Sequence, residues 1–199
     1  MIAVIDYGAG NIFSLKNALD YLGIENKLVK DEDSIRNADK IILPGVGAFP
    51  AAMNMLGKLG LTDVIREESK KKPFLGICLG MQMMFEKSYE FEECDGLGII
   101  KGCVNKIDEP DLIIPHMGWN KLEMLNYCKL LENTGDNAYV YFVHSYKAFC
   151  DDEYISAYSE YGGKVPALVY DGKYAYGCQF HPEKSGETGL QILRNFVNL

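Results

Sequence analysis

Three short stretches contain residues that could do chemistry together. In "GICLG", residues 76–80, Cys78 stands between two glycines, after the apolar run "PFLGI" and before the helical-looking "LGMQMMFEK". A Gly-x-nucleophile-x-Gly sequence between a strand and a helix places the central side chain on a tight corner at the carboxyl end of a sheet, and the small flanking residues let neighbouring backbones approach. The amino end of the following helix favours a thiolate through its dipole and unpaired N–H groups. A plainer reading keeps Cys78 as an ordinary buried thiol, since free cysteines are common core residues. A cysteine nucleophile needs a base, and His181 in "GCQFHPEKSG" sits where an apolar strand runs into His-Pro-Glu. Pro182 stiffens that turn, and Glu183 can orient the imidazole and stabilise its charged form. The third requirement is somewhere to hold negative charge. "LPGVGAF", residues 43–49, follows a strand and sets Gly45 and Gly47 around Val46, so its amides can turn toward a ligand. With the Leu79 N–H it would complete the parts of an acyl-transfer site, and the glycines make a backbone flip there sterically feasible.

Other uses of these residue types are less well supported. Cys178 and His181 have a plausible metal-ligand spacing, but no nearby Cys-x-x-Cys or His-x-x-His supplies the rest of a tetrahedral set, so no metal is expected. "GAGNIF" at 8–13 resembles the opening of a dinucleotide turn, yet Phe13 replaces the third glycine; a glycine-rich connection after the first strand is the better reading, and no cofactor is expected. Cys94 reads as part of a polar turn, and Cys103, Cys128, Cys150 and Cys178 as core or surface residues. His116 in "IPHMGWN" and His144 in "YFVHSY" fit either the lining of the site or a local hydrogen bond.

The elements that must position these groups alternate in the first half. "IAVID", "NKLVK", "KIILP" and "PFLGI" read as strands; the stretch carrying Ile12, Leu15, Leu19 and Leu22, then "LTDVIREESK" and "LGMQMMFEK", read as helices. Such alternation implies a largely parallel or mixed central sheet with helices on both faces, an α/β class. After about residue 95, "LGIIKGCVNKI", "NAYVYFVHSY", "EYISAYSEY", "VPALVY" and "KYAYGCQF" are strand-like, "DG" at 171–172 marks a hairpin, and "TGLQILRNFVNL" is a closing helix. The 199 residues suit one domain, 1–199, with no linker or repeat to divide it. A formal charge of −8 without a basic cluster beyond "KKK" at 70–72, read as a solvated helix end, argues against nucleic acid. No run approaches a membrane span and the opening "MIAVIDYGAG" has no secretory pattern. Six widely spaced cysteines then read as reduced thiols in a cytoplasmic protein.

Taken together, "PGVG" at 44–47, "GICLGMQ" at 76–82 and "HPEKS" at 181–185 resemble the signatures of the class I, triad-type glutamine amidotransferases. More narrowly, "YGAGN", "PHMGWN" and "YFVHSY" resemble the glutaminase subunits of imidazole glycerol phosphate synthases, and "PGVG" departs from relatives that carry "PGG", among them the small glutaminase of vitamin B6 synthesis. The resemblance implies glutamine hydrolysis by Cys78, His181 and Glu183 through a glutamyl thioester. It implies oxyanion-hole amides at Val46 and Leu79, and Gly47 and Gln82 near the bound glutamine. Ser145 and Tyr146 would hold the carboxylate end through the backbone. Ammonia would pass to a separate (β/α)8 synthase subunit in a heterodimer, with Asn11, Trp119 and Lys184, in three loops, at the docking face. Relatives paired with a sugar amidotransferase in surface-polysaccharide biosynthesis, and a silent interaction subunit, are the alternative readings.

Overall fold

The computed structural model describes all 199 residues. The first half runs β1 (Ile2–Ile5), α1 (Ile12–Tyr21), β2 (Asn26–Val29), α2 (Glu32–Asn37), β3 (Lys40–Gly45), α3 (Phe49–Lys58), α4 (Leu61–Glu68), β4 (Phe74–Cys78) and α5 (Leu79–Gln82). The second half adds β5 (Phe85–Ser88), β6 (Cys94–Asp95), β7 (Ile100–Lys106), β8 (His116–Lys121), β9 (Glu123–Met124), β10 (Tyr139–His144), β11 (Tyr146–Phe149), β12 (Ile155–Glu160), β13 (Lys164–Tyr170), β14 (Ala175–Cys178) and α6 (Gly186–Val197). The central sheet has eight strands in the order β2-β1-β3-β4-β14-β13-β12-β9. Its first five are mutually parallel, and β13, β12 and β9 continue it antiparallel. A four-stranded sheet (β11-β7-β5-β6) and a two-stranded ribbon (β10-β8) lie beside it.

Strand alternation divides the apolar residues between two layers. Along β1, Ala3 and Ile5 enter one core layer and Ile2 and Val4 the other. The first layer is closed by Ile35 of α2, Phe49 and Leu56 of α3 and Val64 and Ile65 of α4; the second by Leu15 and Leu19 of α1 and Ile192, Leu193 and Phe196 of α6. Each such side chain, fully removed from water, contributes about 1.5–3 kcal/mol of transfer free energy. Covered on both faces, the central strands are apolar at nearly every position, as in "IAVI" and "KIIL".

Four expectations need correction. The "LGMQMMFEK" helix is a single turn, Leu79–Gln82, followed by β5. Carbonyls that would continue the helix are taken from outside it: Leu97 N–H donates to Met83, Ile99 and Ile100 N–H to Met84, and Gly98 N–H to Phe85. "PHMGWN" is not a loop, because β8 pairs with β10 from His116↔His144 to Lys121↔Tyr139, so Trp119 is a strand residue opposite Tyr141. Cys94 begins the short strand β6 rather than lying in a turn. Of the lysines at 70–72, Lys72 is not solvated. Its side chain is 15% exposed and pairs with the buried Glu68 at 2.9 Å, and its Nζ donates to the carbonyls of Arg36 and Ala38 at the end of α2. The "DG" hairpin between β13 and β14 is present, and Asp171 Oδ1 accepts from the N–H groups of Lys173, Tyr174 and Ala175.

The tightest backbone contact joins β3 to α5. A Cβ on Gly80 would stand 1.8 Å from the Leu43 carbonyl oxygen, a backbone atom that has no rotamer to give. Gly80→Ala is therefore expected to cost about 3 kcal/mol or more, lowering Tm by roughly 6–12 °C for a chain of this size. Gly57 of α3 has open space around a Cβ; Gly57→Ala should raise stability by about 0.5–1 kcal/mol. Thermal unfolding of the two variants measures both signs.

Candidate active site

Cys78 ends β4 and precedes α5 with φ 53° and ψ −112°, an unusual conformation for a non-glycine residue. Such strain, about 1–3 kcal/mol, persists only where surrounding structure over-determines it. Here three glycines do so. A Cβ on Gly76 would meet Met84 Sδ at 2.6 Å and the Gly80 carbonyl at 2.7 Å, and one on Gly45 would meet Gly80 N at 2.7 Å. The corner and the "PGVG" loop are thus packed backbone to backbone. Gly45 is clamped between Gly80 and the Tyr7 hydroxyl, so conformational freedom in the loop lies at Gly47, with φ 102° and nothing within 4 Å of a Cβ.

His181 is placed by hydrogen bonds to β10. Its N–H donates to the Tyr141 carbonyl at 3.0 Å, and the Ser185 hydroxyl accepts from Tyr141 N–H at 3.0 Å while donating to the His181 carbonyl at 2.6 Å. Nδ1 of His181 lies 2.8 Å from Glu183 Oε1, which also accepts from Asn11 Nδ2 at 3.0 Å. Nε2 is buried with no hydrogen-bond partner. Burial on its own pushes this imidazole down, but the Cys78 sulfur and the Glu183 carboxylate outweigh it and raise the pKa to about 10. The proton is held on His181, the state that pairs with a thiolate. With α5 reduced to one turn, the charged group beside the sulfur is this imidazolium and not the macrodipole of a long helix.

A cleft of about 900 Å³ is lined by Val46, Gly47, Cys78, Leu79, Gln82, Ser145, Tyr146 and His181, among others. Every expected oxyanion and substrate residue therefore meets the sulfur in one cavity; Glu183 stands behind the imidazole. Asn11, Trp119 and Lys184 lie outside the cleft. Asn11 reaches Glu183, the Trp119 ring comes within 3.8 Å of where a Gly186 Cβ would stand, and Lys184 is exposed. Sequence reasoning missed Glu90, a buried carboxylate on the cleft wall. Burial raises its pKa, partly offset by the Phe49 N–H that donates to Oε2 at 2.7 Å. In "EKSYEFEEC" nothing separates it from its solvated acidic neighbours.

The other histidines form a pair at the cleft wall, His144 lining the cavity and His116 behind it. His116 is stacked between Phe142 and Tyr161, with its Nδ1 3.0 Å from His144 Nε2, and His144 Nδ1 is 2.8 Å from the Tyr146 carbonyl. A carbonyl only accepts, so His144 Nδ1 carries a proton; its neutral Nε2 then accepts from His116 Nδ1. Burial lowers His116 to about 4 and His144 to about 3, the latter against the raising effect of the Tyr146 carbonyl. These are structural imidazoles.

A family profile described as "Glutamine amidotransferase class-I" matches residues 3–199. The chain is 49% identical over 197 residues to "Imidazole glycerol phosphate synthase subunit HisH" of Bacillus thuringiensis (strain Al Hakam) and equally to that of Bacillus anthracis, covering 98% of this chain and 93% of each relative. Among solved structures, a glutamine amidotransferase superposes with a TM-score of 0.77 at 21% identity, over 99% of this chain and 97% of the other. PurLQS from Thermotoga maritima gives 0.78 at 20%, with the same coverage. At that identity the structures speak for the fold alone.

The histidines carry opposite pH signatures. His116 and His144, held below their ordinary value near 6.5, contribute stability that is complete above about pH 6.5 and is lost as pH falls toward 4. His181, held above that value, contributes stability that is complete below pH 6.5 and is lost as pH rises through about 10. Urea unfolding at pH 5 should therefore take up about two protons from the buried pair, one fewer in His116→Gln. Unfolding at pH 8.5 should release a proton from the His181 imidazole, a release that His181→Gln removes. Midpoints measured as a function of pH, with His181→Gln for the alkaline limb, give these numbers.

Proposed function

The chain belongs to the class-I glutamine amidotransferase family, and from that premise we propose that Cys78, His181 and Glu183 perform its chemistry. The protein hydrolyses glutamine as the glutaminase subunit of imidazole glycerol phosphate synthase in histidine biosynthesis. The observation that carries the residue assignment is the His181 imidazole, tied through Nδ1 to Glu183 and unpartnered at Nε2, sharing one cleft with the sulfur of a strained, glycine-flanked corner.

In this reading residues 1–199 form one glutaminase domain. The Cys78 sulfur attacks the side-chain carboxamide carbon of glutamine, its proton residing on His181. The carbonyl oxygen becomes an oxyanion held by the N–H groups of Val46 and Leu79. His181 gives its proton to the departing nitrogen, the C–N bond breaks, and ammonia leaves behind a glutamyl thioester. Water then attacks the thioester with His181 as base, releasing glutamate and restoring the thiol. Glu183 orients the imidazole and stabilises its charge, with Asn11 fixing the accepting oxygen. Glu90 meets the ammonium group of the substrate, Ser145 and Tyr146 its carboxylate through the backbone, and Gly47 and Gln82 the side chain.

The partner is a (β/α)8 synthase subunit, forming a heterodimer that receives the ammonia. On the β8–β10 ribbon, Met117, Trp119 and Tyr139 are 60%, 56% and 49% exposed, an apolar strip that leads along β10 to the cleft. Exposed aromatic residues in such a strip suit a docking surface, and Lys184 beside it can pair with a carboxylate. No helix is long and apolar enough to cross a membrane, and the reading places the enzyme in the cytoplasm.

Cys78→Ala should abolish glutamine hydrolysis, while the assembled enzyme still makes imidazole glycerol phosphate from added ammonia. His181→Ala should lose more than Glu183→Ala, because the group that moves the proton is less dispensable than the group that orients it. Residual glutaminase activity in a verified Cys78→Ala protein would overturn the nucleophile.

Trp119→Ala should weaken binding to the synthase subunit by about 2 kcal/mol or more, roughly 30-fold in Kd, and release glutamate in excess of product formed. Titration with that subunit, with glutamate and product counted in parallel, tests both effects. Unchanged affinity and coupling would remove Trp119 from the interface.

A further inference from the structure

Resting on the reading of Cys78 as the nucleophile, we propose that Gln179 is a further catalytic residue: its side-chain amide donates to the Cys78 sulfur and stabilises it as the thiolate. Gln179 follows β14 directly and is fully buried, with its N–H bound to the Ala167 carbonyl at 2.9 Å. Its Nε2 lies 3.9 Å from Cys78 Sγ; beside the His181 imidazole, the sulfur also has the Val143 carbonyl at 4.0 Å. A carbonyl can only accept, so it favours the protonated thiol, whereas an amide N–H favours the thiolate. The two contacts therefore act in opposite directions as the sulfur ionises, and the contact with Gln179 becomes the stronger, charge-assisted one.

The orientation of the Gln179 amide is set by a chain of donors and acceptors that begins at a backbone atom. The Tyr146 carbonyl accepts from His144 Nδ1 at 2.8 Å and from Gln82 Nε2 at 2.9 Å. Because a carbonyl cannot donate, the NH2 end of Gln82 is the end that faces it. The same Gln82 nitrogen lies 3.0 Å from Gln179 Oε1, so that atom must be the acceptor, and the NH2 of Gln179 is left pointing at the sulfur. Reversing the Gln179 amide would place two NH2 groups against each other and a carbonyl oxygen against the thiolate. In this arrangement Gln82 has a positioning task beside substrate contact: its NH2 is committed to Tyr146 and Gln179.

Iodoacetamide alkylation of Cys78 in the intact two-subunit enzyme, followed by mass spectrometry of the Cys78 peptide as a function of pH, reads this interaction. Gln179→Met keeps the length and removes the donor; the pH at which alkylation reaches half its limiting rate should rise by about one unit. Gln179→Glu keeps the acceptor for Gln82 but sets a carboxyl oxygen against the sulfur, and should raise that pH further. Glutaminase kcat should fall at least tenfold in both with a smaller change in KM, while thermal unfolding and co-elution with the synthase subunit report that the variants fold and dock. Unchanged alkylation profiles in folded, docked variants would overturn the role of Gln179. Alkylation chiefly at another cysteine, or an active Cys78→Ala protein, would instead overturn the nucleophile on which the inference rests, so the two failures are distinguishable.

Discussion

The site depends on one contact that admits no side chain: the Leu43 carbonyl at the end of β3 lies where a Gly80 Cβ would be. Both partners are backbone, so the separation between the 44–47 loop and the Cys78 corner is set by main-chain packing and not by rotamers. Gly45 repeats the constraint from the other side, against Gly80 N, and Gly76 closes it below, against the Gly80 carbonyl and Met84. A cysteine held at φ 53° stores strain that a looser corner would release by rotating the sulfur away. The packed glycines therefore convert a sheet register, Gly45 opposite Cys78, into a fixed spacing between the 44–47 loop and the corner that carries the sulfur.

Three buried histidines in one chain show how the partner of a single nitrogen decides function. His116 and His144 face each other, aromatic rings and a backbone carbonyl, none of which supplies a full negative charge, and burial drives them to the neutral form. His181 is also buried, yet its neighbours are the Glu183 carboxylate and the Cys78 sulfur, which together outweigh burial and raise its pKa. The neutral pair holds the Tyr146 carbonyl in place, and with it the polarity of the glutamine amides that end at Cys78.

The parts of this arrangement that were legible in sequence are those in which residue type and local geometry coincide. Gly-x-Cys-x-Gly after an apolar strand, His-Pro-Glu after another, and glycines around Val46 stand at turns that end strands, and the structure brings Cys78, His181 and the 46–47 segment into one cleft. Single-face patterns also read correctly, such as Leu15 and Leu19 of α1. What stayed hidden depends on contacts distant in sequence. "LGMQMMFEK" has helical spacing, but Gly98, Leu97 and Ile99 take its carbonyls and turn it into a strand. "HMGWNK" has a glycine and mixed polarity, and becomes a strand only because "YVYFVH" pairs with it. The α3 helix does leave a signal in the sequence, Phe49, Ala52 and Leu56 at helical spacing with Pro50 in the first turn. Glu90 and Gln179 carry no local mark: a carboxylate among carboxylates and an amide before a phenylalanine acquire meaning only through what faces them.

One strand joins the outer surface to the chemistry. On β10, Phe142 and His144 point into the core while Tyr141 and Val143 alternate toward the other face, so a single stretch serves both. Tyr141 stands opposite Trp119 in the ribbon, its ring edge-on to the indole at 6.2 Å, and its own N–H and carbonyl hold the segment that carries His181. Cys78, in contrast, is anchored by the parallel core of the large sheet, through β3 and β14. His181 is therefore tied by hydrogen bonds to the ribbon and Cys78 by its strand to the large sheet, so two separate supports bring the imidazole and the sulfur into one cleft.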